Sequence, residues 1–198
     1  MDKIQIVNVA LGRIGVAAIE SLSEASEAAR VATRYYDLTR QLVLRKYPWG
    51  FATRRTQLAQ LETKPNDYKY AYRYPADVLY LRGIYNEYYD KPVHDHHYKI
   101  LSDKSGKVLY SDVPHASIEY TADIEDATLF DAQFVEAFAW KLAAEIAFIL
   151  TGNMGIAQNA VQAYNAYVNE AMGNDAEEDN EPQDPITNRL ADARWTGC

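Results

Sequence analysis

Histidines are the residues whose type and spacing in this chain come nearest to a metal site. His94, His96 and His97 lie close together, and His115 follows beyond them. Two histidines two positions apart on a strand share one face and could ligate the same ion. A closed zinc site requires four ligands, however, and the single cysteine, Cys198, is the last residue of the sequence. The sequence therefore favours histidines carried on the edge of a tyrosine-rich sheet, and we expect neither a metal nor a cofactor.

Acids, glycines and serines do not form a catalytic set in this sequence. Asp123 and Asp126 could be drawn as the paired carboxylates of a glycosidase, but Asp126 is better placed to cap the helix that follows. The segments 12–15 and 152–155 each have two glycines, yet neither follows a strand or precedes Lys-Ser/Thr, so both are interpreted as helix ends. A Gly-x-Ser-x-Gly elbow is absent from the sequence. We therefore expect that the protein is not an enzyme.

Tyrosines could stack a ligand, since Tyr68, Tyr70, Tyr72 and Tyr74 recur at every second position. This period predicts a strand with one aromatic face. Such a face can bind sugars or single-stranded bases. Packing of the face against a helix or a neighbouring copy is the interpretation that general interface composition favours for a chain with 16 tyrosines.

Helices are predicted on both sides of this strand-rich region. A short helix covers residues 3–14 and ends at Gly15. A long helix covers residues 23–46, with a capping box at Ser21–Glu24 and an end imposed by Pro48. Its predicted inner stripe is Ala25, Ala28, Ala32, Tyr35, Thr39 and Leu42, with Arg34, Arg40 and Arg45 off the stripe.

The most apolar helix is predicted at residues 130–150, with Asp126 or Asp131 at its start and Gly152 at its end. Its predicted apolar arc is Val135, Phe138, Ala139, Leu142, Ile146 and Ile149, extended by Phe130, Phe134 and Phe148. Its charged residues argue against a membrane span. A helix that is apolar over most of its circumference must be covered on more than one side, by helices of the same chain, by a neighbouring subunit, or by both.

A second helix is predicted at residues 153–172. Its seam is Ala157, Val161, Tyr164, Val168 and Ala171, and no charged residue occurs from Thr151 to Asn169. Small and amide side chains permit close approach of backbones, so we expect packing on both sides of this helix.

The fold class predicted from these elements is α+β. The predicted strands are 52–61, 68–74, 78–85, 98–101, 108–110 and 116–121, with a hairpin turn at 103–107 and a turn at Pro65-Asn66-Asp67. We expect an antiparallel helical bundle from residues 1–50 and 124–172, with residues 51–123 inserted as a β lobe. Residues 173–198 are expected to be an acidic tail that is mobile until assembly.

Charge is distributed unevenly along the 198 residues, whose net charge is −8. Residues 1–60 hold nine Lys/Arg and five Asp/Glu, whereas residues 173–198 hold two and seven. Overall acidity argues against a protein that grips duplex DNA. The lone cysteine and the lack of a signal-peptide pattern predict a cytoplasmic protein, or an assembly built in the cytoplasm.

Three blocks of sequence, taken in order, resemble a known family. They are Leu11-Gly-Arg-Ile-Gly15 with Ile19-Glu-Ser-Leu22 and the run from Leu42 through Tyr47-Pro-Trp49-Gly-Phe51 to Ala59, then Tyr70-Ala-Tyr72-Arg-Tyr-Pro75-Ala-Asp77, and then Leu129-Phe130 through Phe134, Leu142 and Glu145 to Leu150-Thr-Gly152. Over about residues 4–172 the chain resembles the tail tubular protein A family, the head-to-tail adaptor of short-tailed bacteriophages. Gly50 and residues 86–107 depart from the family pattern.

The resemblance implies a structural virion protein with no cofactor. Such adaptors form rings, expected here to have twelve copies, between the portal protein and the tail nozzle protein, and genomic double-stranded DNA passes through the lumen without specific binding. The sequence itself predicts a structural corner at Pro48, Trp49 and Phe51, because the proline ends the long helix and two large aromatics follow at once. The candidate subunit or portal contacts are Arg34, Arg40, Trp140, Tyr164, Tyr167 and Trp195.

Two other functions remain open from the sequence. One is a carbohydrate-binding or depolymerising tail component that uses the tyrosine face. The other is a capsid-completion protein of long-tailed phages, similar in role but not in fold.

Overall fold

The computed structural model describes residues 1–62, 67–86 and 97–178, with side chains described as far as Glu170. Within these residues the protein is α+β, with four α-helices and two three-stranded antiparallel sheets. The helices are α1 (Lys3–Arg13), α2 (Glu27–Lys46), α3 (Ala132–Thr151) and α4 (Met154–Glu178). The strands are β1 (Thr53–Gln57), β2 (Tyr70–Arg73), β3 (Val78–Tyr85), β4 (Tyr98–Asp103), β5 (Gly106–Ser111) and β6 (Ser117–Ala122). Short 3-10 turns precede β1 and α3 at Gly50–Ala52 and Ala127–Leu129.

Most helix ends lie where capping chemistry predicts them. The Asp131 carboxylate accepts a hydrogen bond from the Phe134 backbone N–H at 2.6 Å and begins α3, while Asp126 caps the turn before it. Gly152 ends α3 with φ +65°, a conformation that favours glycine. Gly15 follows α1 with φ +74°. The extended Tyr47 before Pro48 ends α2, as predicted.

The predicted start of the long helix is wrong. Helix α2 begins at Glu27, where the Ser26 hydroxyl accepts a hydrogen bond from the Ala29 N–H at 3.1 Å. The Glu24 carboxylate, which the capping box required, accepts instead from the Glu20 N–H at 2.8 Å. The box residues therefore bond within a turn upstream, and the next serine takes the N-cap position.

The buried stripe of α2 also differs from the prediction. Its buried residues are Ala29, Val31, Ala32, Tyr36, Thr39, Arg40, Val43 and Leu44. Leu42, predicted to face inward, is 45% exposed, and Arg40, predicted off the stripe, is 2% exposed. Arg40 lies on the buried side because it pairs with Asp123, a half-buried residue on the segment after β6, and sequence periodicity does not register this pairing.

Helix α3 contacts α1, α2 and α4, so helices of the same chain cover it on more than one side. The buried residues within α3 are Phe134, Val135, Ala137, Phe138, Ala139, Leu142, Ala143, Ile146 and Ala147, and Phe130 is buried just before it. Phe148 and Ile149 were predicted on the covered arc but are 51% and 44% exposed. The helices that surround the middle of α3 leave one side of its last turn open.

Helix α4 buries Ala157, Ala160, Tyr164 and Val168, so Ala160 occupies the seam position predicted for Val161. The predicted boundary at Gly173 is also wrong, since α4 continues to Glu178. A glycine within a helix costs only about 1 kcal/mol relative to alanine, and the alanine and glutamates that follow favour the helix. Residues 179–198, including Trp195, lie outside the described residues.

The six strands form two sheets with the orders β1-β6-β3 and β2-β5-β4. All lie between α2 and α3 in the chain, where the sequence predicted strands. The β4–β5 hairpin turns at Lys104 and Ser105, and Gly106 has φ +125°, so the predicted hairpin is confirmed. The turn predicted at Pro65-Asn66-Asp67 lies mainly outside the described residues.

One hydrophobic cluster joins helices and strands. It includes Phe134 and Phe138 of α3 together with Tyr72 of β2 and Leu109 of β5. The Tyr72 hydroxyl is buried and donates a hydrogen bond to the Val113 carbonyl at 2.6 Å. Tyr72 of the tyrosine-rich strand β2 is therefore part of the core that β2 shares with α3.

Candidate subunit interface

The corner at Pro48, Trp49 and Phe51 packs against the start of α3. Trp49 is 2% exposed, and its indole N–H donates to the Val43 carbonyl at 3.0 Å. Its ring centroid lies 5.3 Å from that of Phe134, and the Phe51 ring lies 5.1 Å from the same phenylalanine. Pro48 is exposed. The corner thus fixes the end of α2 to α3, immediately before β1.

Arg40 cannot serve as the exposed contact that the sequence predicted. Its guanidinium forms an ion pair with Asp123 and donates to the Ile124 carbonyl at 2.6 Å. Gln41 donates to the other oxygen of Asp123 at 2.8 Å. These bonds connect α2 to the segment between β6 and α3, so the role of Arg40 is to hold the subunit together.

Trp140 belongs to a cluster between α1 and α3. The Arg13 guanidinium lies over its ring at 4.2 Å, pairs with the Glu136 carboxylate and donates to the Glu136 carbonyl at 3.1 Å. Burial lowers the pKa of Arg13, and the Glu136 charge opposes this shift. Trp140 is half-buried, so it offers a partner at most part of its ring.

The two tyrosines predicted as contacts differ in exposure. Tyr164 is buried, and Lys141 Nζ lies 5.6 Å from its ring centroid. Tyr167 is exposed and lines a groove with Ala132, Gln133, Glu136 and Glu170, between the first turns of α3 and the later turns of α4. Its lining therefore combines apolar surface with the two carboxylates of Glu136 and Glu170.

Arg34 is the remaining described residue among the predicted contacts. It is exposed on α2, six positions before Arg40, and is therefore available to a partner. The structure brings Trp140 and Tyr167 to neighbouring parts of the α1, α3 and α4 surface through Arg13, whose pKa both Glu136 and Tyr167 influence. It does not bring Arg40 to any surface.

A group of exposed apolar side chains that the sequence did not predict lies at the turn between α3 and α4. Phe148 and Ile149 lie in the last turn of α3, and Met154, which begins α4, is 55% exposed. Val161 continues this exposure two turns further along α4 at 43%. A shallow apolar depression on the same face is lined by Met154, Ala157, Gln158, Val161 and Gln162. We call Phe148, Ile149, Met154 and Val161 the hairpin-end patch.

The surroundings of the hairpin-end patch carry no charge on α4. No Asp, Glu, Lys or Arg occurs from Thr151 to Asn169, and apart from Tyr167 the exposed polar side chains there are amides. Exposed apolar side chains without neighbouring charge are typical of a protein–protein contact. Two features of the sequence could have predicted this patch: Thr151-Gly152, which ends α3, and the lack of charge on the helix that follows. Residues at the turn of a helical hairpin have few neighbours within the chain.

The sites considered for a ligand do not assemble among the described residues. Groups of three or more His, Cys, Asp or Glu side chains that could hold a metal do not occur there. His94 and His96 lie outside the described residues, and His97 and His115 are exposed. On the tyrosine strand, Tyr72 and Tyr74 are buried, and Tyr68 stacks on Tyr110 with ring centroids 6.1 Å apart.

The described helices include none that is long and apolar enough to cross a membrane. No family model matches the chain, and no curated protein matches it. The candidate site is therefore defined by surface chemistry alone: an uncharged apolar patch at one end of the α3–α4 hairpin.

Proposed function

We propose that this chain is a structural virion protein, a head-to-tail adaptor whose copies form a ring between the portal protein and the tail nozzle protein. Genomic double-stranded DNA passes through the lumen of this ring. The copies are expected to number twelve, and the protein acts through contacts rather than catalysis. The setting is the neck of the virion, assembled in the host cytoplasm.

The hairpin-end patch is the structural observation that supports this proposal best. A monomer would leave Phe148, Ile149 and Met154 in water, and burying each half-exposed side chain contributes about 1 kcal/mol. A ring repeats that gain at every contact. The second support for the proposal is that the Tyr47–Ala52 corner and the Tyr72–Asp77 strand end resemble, in the same order, segments of the tail tubular protein A family.

We also infer how the elements serve the ring. Helices α1, α2, α3 and α4 form the bundle that packs against neighbouring copies, and the strands from Thr53 to Ala122 form a lobe inserted into it. Interactions of α3 with the other three helices support the bundle, and the corner at Trp49 supports the hinge between the two parts. Arg34 and Tyr167 are the exposed predicted contacts that remain available for the portal or a second copy.

Mass measurement of the pure protein, alone and with portal protein, tests the proposal. We expect a ring of many subunits, formed by the protein alone or on the portal. The double variant Ile149→Glu with Met154→Glu is expected to remain a folded monomer, because two carboxylates would have to be buried at each contact.

Leu129→Glu is the matched control, because Leu129 is 57% exposed but lies before α3, away from the hairpin end. It is expected to assemble as wild type does. A wild-type protein that stays monomeric with and without portal protein would contradict the adaptor function. Assembly that persists in the Ile149/Met154 variant would remove the hairpin-end patch from the interface.

A further inference from the structure

A groove between β3 and β4 combines exposed aromatic rings with cations. Tyr80, on β3, has the Arg82 guanidinium 4.5 Å and the Arg45 guanidinium 5.7 Å from its ring centroid. The groove is also lined by Tyr98 of β4 and by Lys107 of β5. Tyrosine and arginine are the residues most enriched at binding hot spots. The composition is therefore that of a binding surface for an anionic partner.

The two arginines are held in place by the fold. Arg45 donates to the Leu79 carbonyl at 2.7 Å, while Arg82 donates to the Arg45 carbonyl at 3.0 Å and to the Thr121 hydroxyl at 2.9 Å. Neither arginine, nor Lys107, forms an ion pair with any carboxylate of residues 1–62, 67–86 or 97–170. The acid that influences Arg82 is Glu119, whose carboxylate accepts a hydrogen bond from the Tyr85 hydroxyl at 3.3 Å.

The shape of the groove fits an extended peptide. Four consecutive residues of β3, Val78 to Leu81, line it. Successive side chains of a strand point to opposite faces, so a groove lined by consecutive residues runs along the strand edge. In the order β1-β6-β3, β3 is the outer strand among those described. An extended chain can lie along such an edge with its side chains reaching the cations.

The acidic stretch that follows α4 matches this groove in charge. Asp179, Glu181 and Asp184 supply three carboxylates within six residues. The groove offers Arg45 and Lys107 in its lining, with Arg82 beside it over the Tyr80 ring. Pro182 and Pro185 disfavour continuation of the helix. Covalent attachment also gives this stretch an effective concentration that a free acidic peptide lacks.

The ends of the helices place this stretch within reach. Glu170 of α4 lines a groove with Ala132 at the start of α3, and Phe134 of α3 contacts Trp49 just after α2. Arg45 lies in the last turn of α2. The C-terminal part of α4 is therefore at the same end of the molecule as the groove. The six residues of segment 179–184, which directly follow Glu178, can span about 20 Å when extended.

We propose that the groove between β3 and β4 binds the acidic segment 179–184 of this protein's own C-terminal region. The segment comes from the same copy or from a neighbour. Tyr80 contacts its backbone and Pro182, and Arg45, Arg82 and Lys107 pair with its carboxylates. The proposal does not depend on the adaptor function.

Photo-cross-linking of the full-length protein tests this binding. Because Cys198 is the only cysteine, the pair of changes Cys198→Ser and Gln183→Cys gives one attachment point for a benzophenone maleimide. After irradiation, cross-linked peptides are identified by mass spectrometry. We expect cross-links to peptides from residues 74–82 and 98–107, and loss of these cross-links in 1 M NaCl, where ion pairs are screened.

Two sets of variants separate the groove from the segment. Arg45→Gln with Lys107→Glu is expected to lower the yield about tenfold, as is neutralisation of the segment by Asp179→Asn, Glu181→Gln and Asp184→Asn. The three changes in the segment lie outside the described residues, so they leave the groove itself unchanged. Arg30→Glu, at an exposed arginine near the start of α2, is the control and should keep the wild-type yield. A mixture of unlabelled and ¹⁵N-labelled protein shows, by hybrid peptides, whether the segment comes from a neighbour.

Cross-links confined to other surfaces would overturn the proposal, as would groove cross-links that neither variant set reduces. A free hexaglutamate peptide is the competing occupant. If it cross-links to the groove while the chain's own segment does not, the groove belongs to an external acidic partner and the proposed occupant is wrong.

Discussion

Tyr36 shows how a single buried hydroxyl links this fold to pH. Its ring packs edge-to-face on Phe138 at 4.9 Å, and no described group forms a hydrogen bond with its hydroxyl. Burial raises its pKa to about 12. A tyrosine whose pKa is higher in the folded chain keeps its proton after the unfolded chain has lost it. The free energy of unfolding therefore falls as pH rises from about 10 towards 12.

Tyr36→Phe is expected to change the stability at pH 7 by no more than about 1 kcal/mol, because the lost hydroxyl has no partner. In the alkaline range the variant should lose less stability than wild type. Thermal unfolding followed from about pH 8 to pH 11 measures both effects. Tyr98→Phe, a change at an exposed ring, serves as the control. Equal alkaline losses in wild type and Tyr36→Phe would show that other groups govern the decline.

Arg40→Ala is expected to destabilise the subunit by about 3 kcal/mol. This lies at the low end of the range for breaking a buried pair, because Asp123 keeps 20% of its side-chain exposure. The stranded Asp123 carboxylate is the physical cause. Chemical denaturation at neutral pH gives the change in the free energy of unfolding.

Arg34→Glu provides the comparison for Arg40→Ala, since it changes an exposed arginine of the same helix and should stay within about 0.5 kcal/mol of wild type. An Arg40→Ala variant as stable as wild type would mean that the pair with Asp123 contributes little.

Side-chain placement on α2 was predictable only as far as local periodicity reached. Asp123 lies 83 positions after Arg40, so nothing in the helix sequence distinguishes Arg40 from the exposed Arg34. The charge of Arg40 predicted an exposed side chain, but its ion pair with the distant Asp123 buries it. Trp49 and Phe51 were easier to interpret, because large aromatics next to a helix-ending proline are seldom left in water.

At the level of elements, the corner after α2 is expected to hold the helices to the first strand. Trp49→Ala should lower the free energy of unfolding by about 3–5 kcal/mol, since it removes a buried aromatic ring and the hydrogen bond to the Val43 carbonyl. Denaturant unfolding followed by circular dichroism measures the change. Pro48→Ala, at the exposed residue next to it, is the control and should have a small effect.

A Trp49→Ala variant with wild-type stability would place the corner outside the cooperative core. A value near 1 kcal/mol would instead indicate that Tyr47 and Phe134, whose rings lie 5.1 and 5.3 Å from Trp49, close the space that it leaves.

The type and bounds of most elements could be predicted from neighbouring residues, whereas the side of each helix that is buried could not. The caps at Asp131 and Gly152 and the strand-forming residues of 78–85 are local features of the sequence, so α3 and β3 were predicted to within two residues. The start of α2 was missed because two serines competed for the cap. The open side of Phe148 and Ile149 depends on where other helices end, which periodicity cannot register.

At the level of the whole molecule, charge sets the expected behaviour toward DNA. If the copies form a ring around DNA, a wall that gripped phosphates would hinder passage, because each contacting Lys or Arg adds salt-dependent affinity. The net charge of −8 and the acidic balance beyond residue 60 suit a wall that repels DNA. We expect intact rings to show negligible affinity for duplex DNA at physiological salt.

A filter-binding assay over a range of salt concentrations measures this affinity. Arg34→Glu should leave it unchanged, and any effect of that variant should appear in docking to the portal. Tight, salt-sensitive retention of duplex DNA by intact rings would contradict a repelling wall.

The order of the strands has a consequence for how the chain folds. The β4–β5 hairpin pairs Asp103 with Gly106, whereas β2 pairs Tyr70 with Ser111, and β1 pairs Thr53 with Thr121. These pairings are nested in sequence: each one lies between the two partners of the next. Closing the inner pair shortens the free chain that the next pair must close, which lowers the entropic barrier to each later step. Among these three pairings we therefore expect the β4–β5 hairpin to form first and β1, with its adjoining corner, to join last. The β3–β6 pairing crosses that of β2 with β5 and is not part of this order.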